Sequence, residues 1–328
     1  MGRSVSRRRG NFGYRTVVST FEPRPADLMP DATYFGLVLL ANYHYSTFWD
    51  ADGNVVAPMR KFHTEMSSGL SLQTNAGRDH LAVDFDALAR SQRGVGLRWA
   101  LDGDDVTIRA ARTPFSEPID VRITERTIEW SEGDLLSLIG ELLGDGVQWY
   151  APMRDERGGT YYATQVYRAE GVVQGREVTG FMGVDSLYGP PGQVYQTSWL
   201  FNGVEMAWGY FANTYDDGAF ECGHLAFGAD HWGFAAIQDQ DGEVAFVSDV
   251  DCDIELGPTK YVERATYDVR GEPWVFSAIE RGEMRDLARQ RDDRYHAVAG
   301  VVRRAGDSRT PSLSMAWLES FPLNGITR

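Results

Sequence analysis

The segment that decides the fold reads Trp149-Tyr150-Ala151-Pro152, then Tyr161-Tyr162-Ala163-Thr164-Gln165-Val166-Tyr167-Arg168-Ala169-Glu170-Gly171-Val172-Val173-Gln174-Gly175-Arg176-Glu177-Val178-Thr179-Gly180-Phe181-Met182-Gly183-Val184-Asp185. Apolar and polar residues alternate on either side of Gln174-Gly175, the period of a strand with one face buried. Strands are therefore expected over 166–174 and 176–184, joined by a tight turn for which a glycine supplies positive φ.

The same signature recurs outward in both directions. Upstream, strands are expected over 35–49, 55–66, 96–101, 106–112 and 119–130. Downstream they are expected over 193–200, 206–213, 220–227, 232–238, 244–256, 261–269, 274–279, 295–303 and 313–320. Turn dipeptides such as Asp52-Gly53, Asp102-Gly103, Asp241-Gly242 and Arg270-Gly271 separate many of them,. Helices are few. Ser131-Glu132-Gly133-Asp134 resembles an N-cap with an acidic first turn and predicts a helix over 135–143, closed by Gly144. Short helices are expected at 84–90 and 283–290. Proline-rich stretches at 21–30 and 189–192 read as connections. The pattern predicts an all-β chain of antiparallel sheets rather than an α/β nucleotide-binding fold.

At 328 residues the chain has room for two modules,. A flexible basic arm is expected at 1–15, an N-terminal β module at 16–150 and a C-terminal one at 151–328. Asp50-Ala51-Asp52-Gly53 and Asp239-Gln240-Asp241-Gly242 share an Asp-x-Asp-Gly turn after an aromatic-rich strand, which raises an internal duplication,. These turns also imitate the start of a calcium loop. Val55 and Val244 stand where that loop needs glycine, so hairpin turns explain them better.

The net charge of −15, from 32 basic and 47 acidic residues, disfavours nucleic acid and anionic lipid as partners,. No apolar run is long enough to span a bilayer. Ser6-Arg7-Arg8-Arg9 lacks the apolar segment of an export signal, so a cytoplasmic location is expected. Cys222 and Cys252, the two cysteines, are too far apart for a Cys-x-x-Cys site,. P-loop, Rossmann, Gly-x-Ser-x-Gly and His-Glu-x-x-His motifs are missing, which disfavours NTPases, dehydrogenases, α/β-hydrolases and zincins.

The 161–185 segment resembles the centre of the double-lipocalin family that includes carotenoid hydratases and AttH-type proteins. That family's pattern is a Tyr-Tyr pair, a hairpin, then Val-x-Gly-x-x-Trp-x-Asp-(His/Arg)-x-Trp. Tyr161-Tyr162, the hairpin, Val178-Thr179-Gly180 and Asp185 match. Gly183 stands where the pattern has Trp, and Ser186 and Tyr188 stand for His/Arg and the final Trp. The resemblance implies two tandem lipocalin-like antiparallel barrels or sandwiches with a deep pocket for a hydrophobic small molecule. It also implies chemistry without metal or other cofactor, with Asp185 as the proton donor. A carboxyl in apolar surroundings is held protonated because its charged form loses hydration. Tyr162, Tyr167, Trp199, Trp208 and Tyr210 are the candidate substrate-binding residues, their π faces suited to a carbocation.

Other clusters compete. His63 and Glu65 share a face if 55–66 is one strand, and His44 lies on the preceding strand, so these three are further acid–base candidates. Cys222-Gly223-His224 and Asp230-His231 raise a Cys–His dyad, but about 7 Å along a strand puts Cys222 and His224 out of direct reach. Three functions stay open. One is a cofactor-independent lyase, hydratase, isomerase or cyclase on a hydrophobic molecule. The others are a non-catalytic carrier of a lipid, terpenoid or steroid, and a carbohydrate-active β-sandwich.

Overall fold

The computed structural model describes residues 16–152, 158–193, 198–229, 232–286 and 294–325. The 1–15 arm and the Asp230-His231 pair lie outside them. The chain is all-β, with 61% strand and 7% helix, folded into two curled antiparallel sheets.

The two sheets share one plan. In the first, the early long strand Leu37–Asp50 pairs with the late strand Arg176–Gly189. In the second, Glu205–Thr214 pairs in the same way with Leu313–Ser320. From the early strand a meander runs one way: Val55–Phe62, Ser71–Thr74 and Ala82–Val83 in the first sheet, and Phe220–Gly228, Gly233–Asp239 and Gly242–Val247 in the second. From the late strand another runs back, through Thr160–Val173, Leu136–Leu142, Thr127–Glu132 and Ile119–Ile123, or through His296–Arg304, Glu272–Glu283, Val262–Val269 and Asp251–Leu256. The first sheet continues to Asp105–Ala110 and Arg98–Asp102. The expected 150/151 division falls inside the first sheet, because the hairpin of Thr160–Val173 and Arg176–Gly189 closes that sheet. The second sheet starts at Glu205.

The Asp-x-Asp-Gly turns hold equivalent hydrogen bonds but not equivalent places. Asp50 Oδ1 accepts from the Asp52 and Asn54 amides, and Asp239 Oδ1 accepts from Asp241. The first turn joins Leu37–Asp50 to Val55–Phe62, whereas the second ends the meander of the other sheet.

One expected helix is a strand. Leu136–Leu142 alternates buried and exposed residues throughout and pairs on both sides. Leu136, Leu138, Gly140 and Leu142 have period two, and Gly133 at φ +55° makes Ser131–Asp134 a hairpin turn rather than a cap. The 84–90 expectation holds: Phe85–Arg90 is helical, with the Asp84 side chain accepting from the Ala87 amide. At 283–290, Glu283 ends a strand and residues beyond 286 lie outside the described region.

Strand alternation gives the interior three large cores, beside a small cluster of Leu37, Tyr161 and Tyr188. One core fills the curl of the first sheet, around Trp130, Phe48 and Tyr167. Another fills the second, around Trp274, Phe211 and Tyr267. The third lies between the sheets and takes Trp149, Tyr162 and Phe181 from one side and Tyr210, Trp232, Phe234 and Trp317 from the other.

Candidate functional site

Asp185 belongs to the layer between the sheets. It is 3% exposed, and three hydroxyls converge on it. Tyr162 donates to Oδ2 at 2.7 Å, Tyr45 donates to Oδ1 at 3.1 Å, and Thr164 donates to Oδ1 as well. Each donor is placed by register. Thr164 faces Asp185 directly across the closing hairpin, and Tyr162 lies two residues along on the same face,. Tyr45 comes from the neighbouring strand, where it faces Gly183.

That pairing explains the glycine in the motif. A Cβ at residue 183 would sit 2.1 Å from the Tyr45 ring and 2.3 Å from its hydroxyl oxygen. The ring of Tyr45 occupies the space a side chain at 183 would need, and from there its hydroxyl reaches the carboxyl. Burial pushes the Asp185 carboxyl up to about 7, while the hydrogen bonds from Thr164, Tyr162 and Tyr45 pull it down. Desolvation wins, so Asp185 exchanges a proton near neutral pH, which suits a general acid or base. Desolvation and the neighbouring Asp185 charge both hold the Tyr45 and Tyr162 phenols well above their ordinary range, so they remain donors.

The second sheet carries a counterpart. Glu319 faces Ala297 across its closing hairpin, as Asp185 faces Thr164. Tyr295, two residues before Ala297, donates to Glu319 at 2.5 Å, as Tyr162 does to Asp185. Trp317, two residues before Glu319, stands where the first sheet has Gly183, and its indole N–H points at the carboxylate at 3.4 Å. The residue facing Trp317 is Tyr210, whose ring lies 4.7 Å from that of Tyr45. The two acidic positions thus flank a pseudo-twofold relation, and the Glu319 charge adds to the upward push on Asp185.

An aromatic wall completes the layer. Trp149 stacks on Tyr162 at 5.3 Å and 6°, and Trp208 meets Tyr162 at 5.3 Å. His224 lies 5.2 Å from Trp208, and its Nε2 is 3.2 Å from Thr164 Oγ1. The indole nitrogens of Trp149 and Trp232 and the Nδ1 of His224 are buried there without a hydrogen-bond partner.

The sequence candidates separate by face. Asp185, Tyr162, Trp208 and Tyr210 share the inter-sheet layer. Tyr167 points the other way, into the first sheet's core, and donates to Gln165. Trp199 is 39% exposed beside the helical turn Leu200–Val204. His44, His63 and Glu65 do not cluster. His44 faces Arg60 rather than His63. It is packed on Phe62 and Trp130 with both ring nitrogens unpartnered, and burial, then Arg60, pushes its pKa down to about 3. The strand stops at Phe62, so His63 and Glu65 lie in the loop beyond it. There His63 Nδ1 contacts the Leu40 carbonyl at 2.7 Å and Glu65 is exposed. Cys222 is buried, with its thiol pushed up to about 12 by desolvation, which suits packing rather than nucleophilic attack.

Tyr45, Thr164 and Glu319 are the site neighbours that sequence reasoning missed, and His224, read there beside Cys222, meets Thr164 instead. The Trp317-x-Glu319 spacing was the available signal, since it restores the pattern that Gly183-x-Asp185 breaks. Among the described residues, no group of three His, Cys, Asp or Glu is placed to hold a metal ion, and no helix is long and apolar enough to cross a membrane.

A cavity of about 430 Å³ opens on the opposite face of the closing hairpin. Tyr34, Tyr161 and Tyr188 wall it, with Gln165 and Ser186 among its polar groups and Arg24 and Asp27 also in its lining. Asp185 and Thr164 alternate with these residues and point away.

No family profile matches the chain, and no curated protein does. Solved structures similar to it include an AttH candidate from Nitrosomonas europaea, 15% identical, with 89% of this chain and 95% of that one covered and a TM-score of 0.47. Kievitone hydratase from Nectria haematococca is 9% identical, covering 95% and 98%, at 0.45. CghA with Sch210972 is 8% identical, covering 94% and 99%, at 0.42. These neighbours are double-lipocalin-like in fold.

Proposed function

We propose that the chain is an enzyme acting on a hydrophobic small molecule, with Asp185 as its acid or base. The observation that carries this reading is the Asp185 carboxyl itself. It is buried among aromatic rings, its pKa is pushed up to about 7, and three hydroxyl hydrogens are aimed at it. A purely structural aspartate gains nothing from such a position, because burying a carboxylate costs several kcal/mol even when it is paired. In the protonated state Asp185 gives its proton to an alkene or other weak base, and the Tyr45, Tyr162 and Thr164 hydroxyls then stabilise the carboxylate left behind. The π faces of Tyr162, Trp149 and Trp208 favour a cation formed beside them. Hydration, elimination, isomerisation and cyclisation all use this step.

The test is turnover of a panel of terpenoid, steroid and polyketide alkenes, followed as gain or loss of water or as rearrangement by mass and NMR. Asp185→Asn keeps the shape and loses the ionisable group. Turnover abolished in a variant that still folds supports the reading, whereas full turnover in Asp185→Asn overturns it.

A carrier is the second reading, favoured by the 430 Å³ cavity on the far side of the hairpin. A panel member that binds unchanged, and is displaced by Ala163→Trp but not by Asp185→Asn, would select it.

A further inference from the structure

Thr164 stands between Asp185 and His224, and its chemistry sets the direction of both contacts. A threonine hydroxyl has one hydrogen and two lone pairs. Its hydrogen goes to Asp185 Oδ1, so at the 3.2 Å contact it is His224 Nε2 that donates. The imidazole therefore carries its hydrogen on Nε2, and Nδ1 is left as a bare lone pair. That nitrogen is fully buried and has no partner.

A buried imidazole resists becoming a cation; desolvation pushes the pKa of His224 down to about 3. It can still move a proton without gaining charge, by accepting at one nitrogen while releasing from the other.

We propose that His224 acts through Thr164 as a neutral proton port for Asp185. A proton from water or from the substrate bonds to Nδ1 as the Nε2–H bond breaks. Thr164 Oγ1 takes the released proton and passes its own hydrogen to Asp185 Oδ1. Three bonds form and three break. The carboxylate gains one proton, and His224 ends neutral, with its hydrogen on Nδ1. The reverse sequence discharges Asp185. His224 is thus a positioning residue that reloads the acid, and this role in turnover rests on the enzyme reading above; the tautomer exchange does not.

Other groups face this chain from each packed strand. Tyr43 and Tyr45 come from Leu37–Asp50, Tyr162 from Thr160–Val173, Tyr210 from Glu205–Thr214 and Glu319 from Leu313–Ser320. Tyr45 is also within hydrogen-bond reach of Thr164. Burial holds Tyr45, Tyr162 and Tyr210 protonated. Thus Asp185 is the group of the relay that titrates near neutral pH.

The experiment is 15N NMR of the histidine-labelled protein, with His224 assigned by His224→Gln. Above the Asp185 transition the Nε2–H tautomer is expected, and below it the Nδ1–H tautomer. Thr164→Val should abolish the switch and Thr164→Ser should restore it. A tautomer that stays fixed through the transition in the unmodified protein, or a switch that persists in Thr164→Val, overturns the proposal. Should Thr164→Val not fold, His224→Gln decides, because it keeps the donor to Thr164 but has no second ring nitrogen. Proton exchange at Asp185 should then slow by on the order of a hundredfold, and an unchanged rate overturns the port. A tautomer switch without turnover would remove the enzyme reading and leave the relay standing; turnover that needs Asp185, with a fixed tautomer, would do the reverse.

Discussion

Gly183→Ala tests the Asp185 environment through a single methyl group. The new Cβ would lie 2.1 Å from the Tyr45 ring, so it or the ring must move by more than 1 Å. The ring is backed by Tyr210 at 4.7 Å and cannot retreat without repacking the inter-sheet layer. Overpacking of this kind costs about 1–3 kcal/mol. The displaced Tyr45 hydroxyl also leaves Asp185 Oδ1. A hydrogen bond to a charged group is worth about 1.5–3 kcal/mol, and 1.36 kcal/mol is about one pKa unit. The Asp185 transition should therefore rise by about one to two units from its starting point near 7. Tyr45→Phe should raise it similarly without the packing cost, and the two changes together should raise it no further than either alone. The assay is infrared spectroscopy of the protonated carboxyl C=O stretch across pH, with Asp185→Asn identifying the band. A transition unmoved in both single variants would refute the assignment of Tyr45 as a donor and of Gly183 as its space.

Two further outcomes follow from the same groups. His44 has a pKa lowered from 6.5 to about 3, so the unfolded chain binds a proton that the folded one refuses, and stability is lost as pH falls through that window. Its ring nitrogens have no partners to lose, so His44→Phe should raise Tm and flatten the decline between pH 6.5 and 4 in thermal melts; a steeper decline would contradict this. Asp185 acts with the opposite sign. Its raised pKa makes stability fall as pH rises between about 4 and 7, by on the order of 4 kcal/mol, and Asp185→Asn should remove that slope. Glu319→Gln should lower the Asp185 transition in the infrared titration by removing a repelling charge; a rise would place Glu319 out of range.

The closing hairpin was legible because both of its strands keep period two across a glycine turn, and no long-range information is needed to read that. Leu136–Leu142 carries the same period, yet the acidic Ser131–Asp134 turn beside a leucine-rich run imitates a helix start. Pairing of the early and late strands was not legible. Nothing local in Leu37–Asp50 says that Arg176–Gly189 will lie beside it, and the module boundary was misplaced for that reason. Asp185 was readable from its motif. Its donors were not, since Tyr45 is 140 residues away in sequence and arrives through register. His44 and Tyr45 are adjacent and differ only in face, and the sequence reading chose the one that points into the first sheet's core.

The pseudo-twofold relation gives the departures from the motif a physical meaning. Both sheets place an acidic residue, a tyrosine donor from the neighbouring strand and a bulky aromatic at one geometric position. In the second sheet the aromatic is Trp317 on the acidic strand itself, and Glu319 stays half-buried. In the first sheet the aromatic is Tyr45, supplied from across the strand pair over Gly183. That exchange keeps the ring volume and adds a hydroxyl aimed at the carboxyl. Thr164 in place of Ala297 adds another and opens the link to His224. Tyr45 thus replaces the indole N–H of Trp317 with a closer donor, and Thr164 adds a donor that Ala297 lacks, both at one buried, desolvated carboxyl. This asymmetry, confined to one of two otherwise matched positions, is what supports the proposed proton transfer at Asp185 over a packing role.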